Sequence, residues 1–325
     1  MRVLVTGATG MLGREVALAL MARGDDVTVL QRRPAGLQCR EVLGDVADFA
    51  VVRAAVTGTD AVVHLAAKVH VTGPWAQYLR TNVQGTRAVV EGCQAAGTGR
   101  LVHVSSPAVA HTGSALVGAP ATAADPDGVR GPYARSKALA EQVALAADGP
   151  SLSVVAVRPH LVWGPGDTQL VGRVVARARS GRLAVVGTGA ALVDTTYVTN
   201  AVDALVAALG ASVQGAALVV SNGEPRPIVE VLSSLCAAAG VPAARFRVPF
   251  GVAALVGSVC DGVWAATRRD GDPPITRFLA EQLATAHWFD QRLTRQALAW
   301  TPRVGLDEGF AELGRWFAVR RAREG

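Results

Sequence analysis

Lysine is nearly missing from this chain. The 325 residues carry 32 basic side chains, and all but Lys68 and Lys137 are arginine. Aromatics are also scarce, at 5%. The net charge of +6 is spread thinly, with small clusters at Arg32–Arg33, at 268–269 and near 320–323. No run of five basic residues occurs. Scattered arginines without aromatic partners argue against a nucleic-acid surface and suit a small anionic ligand better. There are four cysteines, Cys39, Cys93, Cys236 and Cys260, with no CxxC spacing. That excludes a zinc knuckle and a disulfide framework, and predicts no metal site; buried apolar thiols in a reducing cytoplasm are expected. No apolar run approaches the ~20 residues of a membrane span. The richest stretch, 250–263, is broken by Gly251, Gly257, Ser258 and Asp261. It reads as a packed helix, with peripheral contact to a membrane as the lesser alternative. The first residues, MRVLVTGATG, run from a short strand into a glycine turn and lack the long apolar stretch of a signal peptide. A cytoplasmic protein is expected.

What is present is a regular alternation. RVLVT (2–6), DVTVL (26–30), REVLGD (40–45), DAVVHLAA (60–67), RLVHVSS (100–106) and LSVVAVRP (152–159) read as strands. Helical periodicity fills 11–23, 48–57, 75–96 and 133–147. Continuous apolar strands alternating with helices indicate a parallel sheet covered on both faces. The expected fold is α/β, a doubly wound parallel (Rossmann) sheet with a smaller, mostly helical C-terminal cap. Residues 1–160 are expected to form the sheet-bearing part and residues 161–325 the cap, interleaved with the sheet because 183–222 partly returns to it. Further helices are expected near 168–179, 199–209, 227–239, 250–267, 274–285, 290–298 and 306–321.

VTGATGMLG places Gly7, Gly10 and Gly13 between the first strand and its helix. Gly7 allows the tight turn, Gly10 the approach of a phosphate, and Gly13 close packing of helix on strand. The pyrophosphate would face the helix N-terminus, with Thr9, Met11 and Leu12 around it. The second strand ends in Gln31, Arg32 and Arg33. No carboxylate stands there to accept the ribose hydroxyls of NAD, and two guanidiniums can bind a 2′-phosphate. NADP(H) is therefore expected as cofactor; NAD(H) follows if the arginines are a solvated loop edge. Asp45 and Val46, after the third strand, reach for the adenine. Leu65, Ala66 and Ala67, after the fourth, allow close approach of the cofactor. His64 reads as a packed strand-end residue.

Tyr133 and Lys137 are four residues apart, on one helical face. A free phenol, with a pKa of about 10, is a poor acid or base at neutral pH. A nearby ammonium would favour the phenolate, and lysine can also reach a ribose hydroxyl where arginine's planar fork would not fit. An ordinary surface Tyr/Lys pair is the plainer alternative. Ser105 and Ser106, at the end of the fifth strand, supply a hydroxyl to orient a substrate oxygen. These parts suit carbonyl/alcohol redox chemistry on a nicotinamide.

At this point the chain resembles the extended short-chain dehydrogenases/reductases, through TGATGMLG, GDV, HLAA, TNVQGT, VSS and YARSK, over nearly its whole length. The resemblance implies a catalytic set of Ser106, Tyr133 and Lys137 supported by Asn82, with Ser106 rather than Ser105 in the catalytic register. It places Pro159 at the cofactor and Lys68, Ser105, Ser106, His160, Leu161 and Tyr197 at the substrate. RPHLVWGPGD, VDTTYVTNAVDA and SNGEPRP look like the 3β-hydroxysteroid dehydrogenase branch. ARARSGRL, VGTGAALVDTTYV and ITRFLAEQLATAHWFD are similar to bacterial 2-alkyl-3-oxoalkanoate reductases of long-chain olefin biosynthesis. That likeness implies NADPH-dependent reduction of the 3-keto group of a large, lipid-like β-keto acid. It also implies a homodimer, and contact with other enzymes of a hydrocarbon-forming complex. Sterol-4-carboxylate 3-dehydrogenases share much of the pattern. A nucleotide-sugar epimerase would need a more polar cap. A non-catalytic NADP-binding protein would not need Ser106, Tyr133 and Lys137 together, and in a scaffold catalysis would be secondary.

Overall fold

Seven short strands rich in Val, Leu and Ala form the centre of the molecule, and a computed structural model describes residues 1–70, 73–267 and 273–324 of the chain. The arginines at 268 and 269 lie outside the described residues. The strands are β1 (Arg2–Thr6), β2 (Asp26–Gln31), β3 (Arg40–Leu43), β4 (Ala61–His64), β5 (Arg100–Val104), β6 (Ser153–Pro159) and β7 (Ala216–Val220). They pair in parallel in the order β3-β2-β1-β4-β5-β6-β7. The order reverses between β1 and β4, so the connections leave in opposite directions and open a crevice at the strands' carboxyl ends.

Alternate residues of each strand feed opposite faces. Val3, Val5 and Val63 pack with Val16 and Leu20 of α1 (Met11–Ala22) on one side. Leu4, Val62 and Leu101 pack with Val52 of α2 (Phe49–Val56) and Val89 of α3 (Gly85–Ala96) on the other. Burial on both faces is why these strands read as unbroken apolar runs. α4 (Pro132–Leu145) contributes Ala144 to the second face.

The expected continuous helix over 75–96 is in three parts. A single α turn (Trp75–Tyr78) passes into a π-helical segment (Leu79–Gln84) and then into α3. The π segment turns Asn82 inward, where it is buried. Apolar spacing does not reveal this extra residue, because it is set by polar partners from other segments.

The second half supplies α5 (Leu170–Arg179), α6 (Val198–Gly210), α7 (Ile228–Ala239), α8 (Phe250–Thr267), α9 (Arg277–Ala284), α10 (Arg292–Leu298) and α11 (Leu306–Glu324). It is not wholly helical: Leu192–Val193, Arg226–Pro227 and His287–Phe289 form a small mixed sheet with Leu116–Ala119 of the first half. Phe310 of α11 stacks on Trp163 at 4.4 Å, and Tyr197 meets the same indole at 5.2 Å. β7 and α6 return to the central sheet. Arg100 of β5 is buried and donates to the carbonyls of Ala208 at 2.7 Å and Val213 at 2.8 Å. α8 packs through Ala253 but leaves Val252, Leu255 and Val259 exposed, so it is covered on one face rather than fully packed. Among the described residues no helix is long and apolar enough to cross a membrane.

Candidate active site

The glycine turn is built for close approach. Gly7 sits at φ +82°, and a Cβ there would stand 2.9 Å from the backbone nitrogen of Ala66. A Cβ on Gly13 would come within 2.4 Å of the Gly7 carbonyl oxygen. α1 starts from Gly10 with no side-chain cap and no acidic residue in its first turn. Its first N–H groups and the positive end of its dipole therefore face the crevice. At the tip of β2 the Gln31 amide is buried, and neither polar atom has a hydrogen-bond partner. Orphaned buried amides are costly, and a bound polar group relieves the cost. Turn, bare helix end and unpaired amide together fit a dinucleotide, with its pyrophosphate at α1 and its adenosine ribose at Gln31.

Arg32 lines the same cavity, whereas Arg33 is exposed and does not. Burial works to raise the Asp45 pKa, but the Ala47 N–H and the Arg80 guanidinium at 3.0 Å outweigh it and hold the carboxylate below its usual range. Val46, Leu65, Ala66, Ala67 and Pro159 line the cavity with Thr9, Met11 and Leu12. His64 is a packed strand-end residue, bonded to Thr6 at 2.8 Å and Thr86 at 3.0 Å.

β5 delivers Ser105 and Ser106 to the crevice, and α4 delivers Tyr133 and Lys137. The Ser106 hydroxyl accepts the Ala108 N–H at 3.2 Å and lies on the phenol's side of the site. Ser105 is buried with its hydroxyl unpartnered. Burial pushes the Tyr133 phenol up, and the neighbouring Ser106 hydroxyl opposes it. Burial lowers the Lys137 ammonium to about 8, against the nearby Glu141 carboxylate. Its Nζ donates to the Val104 carbonyl at 2.6 Å.

Asn82 does not line the cavity; it holds the parts that do. Its Oδ1 accepts the Lys68 N–H at 2.7 Å, and its Nδ2 donates to Ser136 Oγ at 2.8 Å, next to Lys137. Behind Lys137, Glu141 accepts from Arg158 at 2.8 Å, both about 1% exposed. Sequence reading missed this pair. Its trace is an arginine inside the apolar strand LSVVAVRP.

The dinucleotide cradle and the space beyond it form one cavity of about 1550 Å³. Leu170, Val174, Leu183, Val256, Phe278 and Leu279 line its far part, so the cap makes it mostly apolar. His160 and Leu161 stand at the junction, Leu161 with the unusual φ of +43° for a leucine. Two expected substrate residues are elsewhere. Lys68 places its Nζ over the Tyr78 ring, 5.2 Å from the centroid. Tyr197 donates its hydroxyl to the Glu312 carboxylate and packs on Trp163. Both serve internal packing. His111 and His287 line the cavity and were missed, because loop and cap bring them there from distant parts of the chain.

An uncapped helix end over a glycine turn, joined to a Ser–Tyr pair and a buried lysine, defines a dinucleotide-dependent oxidoreductase of the Rossmann class. Residues 3–221 match the NAD dependent epimerase/dehydratase family, and the chain belongs to it, among the extended short-chain dehydrogenases/reductases. It is 42% identical to a 2-alkyl-3-oxoalkanoate reductase of Stenotrophomonas maltophilia, over 96% of this chain and 98% of that one. A second protein of that name, from Shewanella oneidensis, is 36% identical over 95% and 84%. Among solved structures, MoeE5 in complex with UDP-glucuronic acid and NAD superposes with a TM-score of 0.73 at 28% identity, covering 99% of this chain and all of that one.

Proposed function

We propose that the protein reduces the 3-keto group of 2-alkyl-3-oxoalkanoates, with NADPH preferred over NADH. The observation that carries this reading is the apolar cavity opening directly from Ser106 and Tyr133, in a chain so similar to proteins of that name. A lipid-like body with two tails suits such a space, whose walls are mostly apolar and also carry Arg173, Arg177 and Arg182.

When bound, the reduced nicotinamide supplies the hydride. Ser106 Oγ donates a hydrogen bond to the substrate carbonyl oxygen and holds it beside the phenol. Tyr133 delivers the proton to that oxygen as it gains charge. Lys137 offers its ammonium to a ribose hydroxyl and keeps a positive charge under the site. The cap walls exclude water and align the keto group. Arg32 pairs with the 2′-phosphate of NADPH. In this reading the enzyme is a cytoplasmic homodimer that meets a lipidic substrate and other enzymes of hydrocarbon formation.

The test is turnover with NADPH and NADH on a panel of 2-alkyl-3-oxo acids, sterol acids and UDP-sugars. Reduction of the oxo acids with NADPH is expected; turnover of UDP-sugars without it rejects the reading. Arg32→Ala is expected to narrow the NADPH-over-NADH preference in Kd by about 1–3 kcal/mol, the scale of a charged hydrogen bond. Equal binding of both cofactors by the unaltered protein rejects the cofactor assignment.

A further inference from the structure

Three histidines meet where the cradle joins the apolar part of the cavity. His160 follows β6, beside the strand that carries the serines: the Ser105 N–H donates to Val157 at 2.7 Å. His111 caps the short turn that starts at Ser106. His287 comes from the cap, with its ring 4.9 Å from that of His160 and 6.3 Å from that of His111. All three line the cavity.

Hydrogen bonds determine the tautomers of His287 and His160. His287 Nε2 lies 2.8 Å from the Gln282 carbonyl oxygen, which can only accept, so Nε2 carries the proton. A neutral His287 then has a bare Nδ1, and His160 Nε2–H donates to it across 3.1 Å. This leaves His160 Nδ1 as a lone pair. It is buried and has no hydrogen-bond partner among the described residues; His111 Nε2 is also buried and without a hydrogen-bond partner there. A buried acceptor without a donor is a site prepared for a ligand that brings a proton.

Resting on the proposed reduction of a β-keto acid, we infer that His111, His160 and His287 form the subsite for the substrate's acid group, which is bound together with one proton. A β-keto acid carries its carboxyl two bonds from the reacting carbon. Whatever receives it must therefore stand near Ser106 and Tyr133; His111 ends the turn that Ser106 begins, and the whole cluster lines the cavity that both share. The proton resides on the acid, facing the His160 lone pair, or on the imidazole, facing the carboxylate. Either way the complex holds one proton more than its separated parts. Burial keeps His160 and His111 below the ordinary histidine range and His287 at about 4. The empty cluster is thus neutral at neutral pH. The other groups facing it are the Glu281 carboxylate beside His111, which is paired with Arg130, and the Asp194 backbone carbonyl beside His160, whose own carboxyl binds Ser221.

The experiment is calorimetric titration of the NADPH-loaded protein at neutral pH with a short-chain 2-alkyl-3-hydroxy acid and with its methyl ester. Buffers of different ionisation enthalpy report the protons exchanged. One proton taken up per acid and none per ester is expected, with acid affinity falling about tenfold per pH unit above the histidine range. Binding of acid without proton uptake, or equal affinity for acid and ester, overturns the inference and leaves the reductase reading intact. Reductase assays with 3-oxo acid and 3-oxo ester run in parallel: no turnover of either rejects the reductase reading, whatever the calorimetry gives. His160→Gln is expected to lower the acid-over-ester ratio of kcat/KM about tenfold and to flatten its pH dependence; an unchanged ratio also overturns the subsite.

Discussion

Ser106 acts on the Tyr133 phenol and Ser105 does not, and this divides the work between the two adjacent serines. Tyr133→Phe removes the proton donor and is expected to lower turnover roughly 10²–10⁴-fold with NADPH affinity nearly unchanged. Near-normal turnover in that variant would exclude the mechanism. Ser106→Ala is expected to be the more damaging serine change, because Ser106 alone of the two lowers the pKa of the phenol. Single-turnover rates of both serine variants check the order. Lys137 gives a pH dependence. Its ammonium is charged below about 8 and neutral above, since burial depresses it. NADPH affinity is therefore expected to weaken as pH rises through that value, and Lys137→Met to be weak and flat across the range. Fluorescence titration of NADPH at several pH values tests both. The Tyr–Lys pair was legible because four residues on a helix share a face. The partner of Lys137 was not, because the Val104 carbonyl comes from a neighbouring strand end. Nor were His111 and His287, single histidines in loop and cap that acquire meaning through the hydrogen bonds folding gives them.

The strands of the first half were legible because burial on both faces leaves them apolar without interruption. Their ends were not: the expected strands at 40–45 and 60–67 stop at Leu43 and His64. Beyond those points the backbone turns to form the crevice instead of continuing to pair. The π-helical segment was invisible for a related reason. Asn82 satisfies the backbone of Lys68 and the hydroxyl of Ser136, and neither lies near it in sequence. Asn82→Ala leaves the Lys68 N–H without this acceptor, so a loss of about 1–3 kcal/mol in denaturant unfolding is expected, with turnover reduced as well. Unchanged stability would mean that water replaces the amide. In α1, Gly13→Ala would set a methyl 2.4 Å from the Gly7 carbonyl. The helix must then back away from the turn, and loss of dinucleotide binding measured by calorimetry is the expected result.

On the scale of the molecule, cap and sheet are locked through Trp163. Phe310 of α11 stacks on that indole, so Phe310→Ala is expected to cost about 3–5 kcal/mol of global stability and not merely to loosen the cap. A single cooperative transition in thermal unfolding of this variant, shifted to lower temperature, would confirm the coupling; two separated transitions would refute it. The return of β7 and α6 to the sheet also bears on synthesis. The ribosome releases β5 and β6 long before residues 208 and 213, yet those residues supply the carbonyls that hold Arg100. Until they emerge, the nascent sheet has an open edge at β6 and a guanidinium that has Ser153 Oγ but lacks its two carbonyl acceptors. Domains usually complete themselves in the order they are made. This chain cannot, because its first 160 residues wait for a strand made after α5 of the cap. A chain halted at residue 160 is thus a client for chaperones and proteases, and one halted beyond β7 has closed the edge that attracts them.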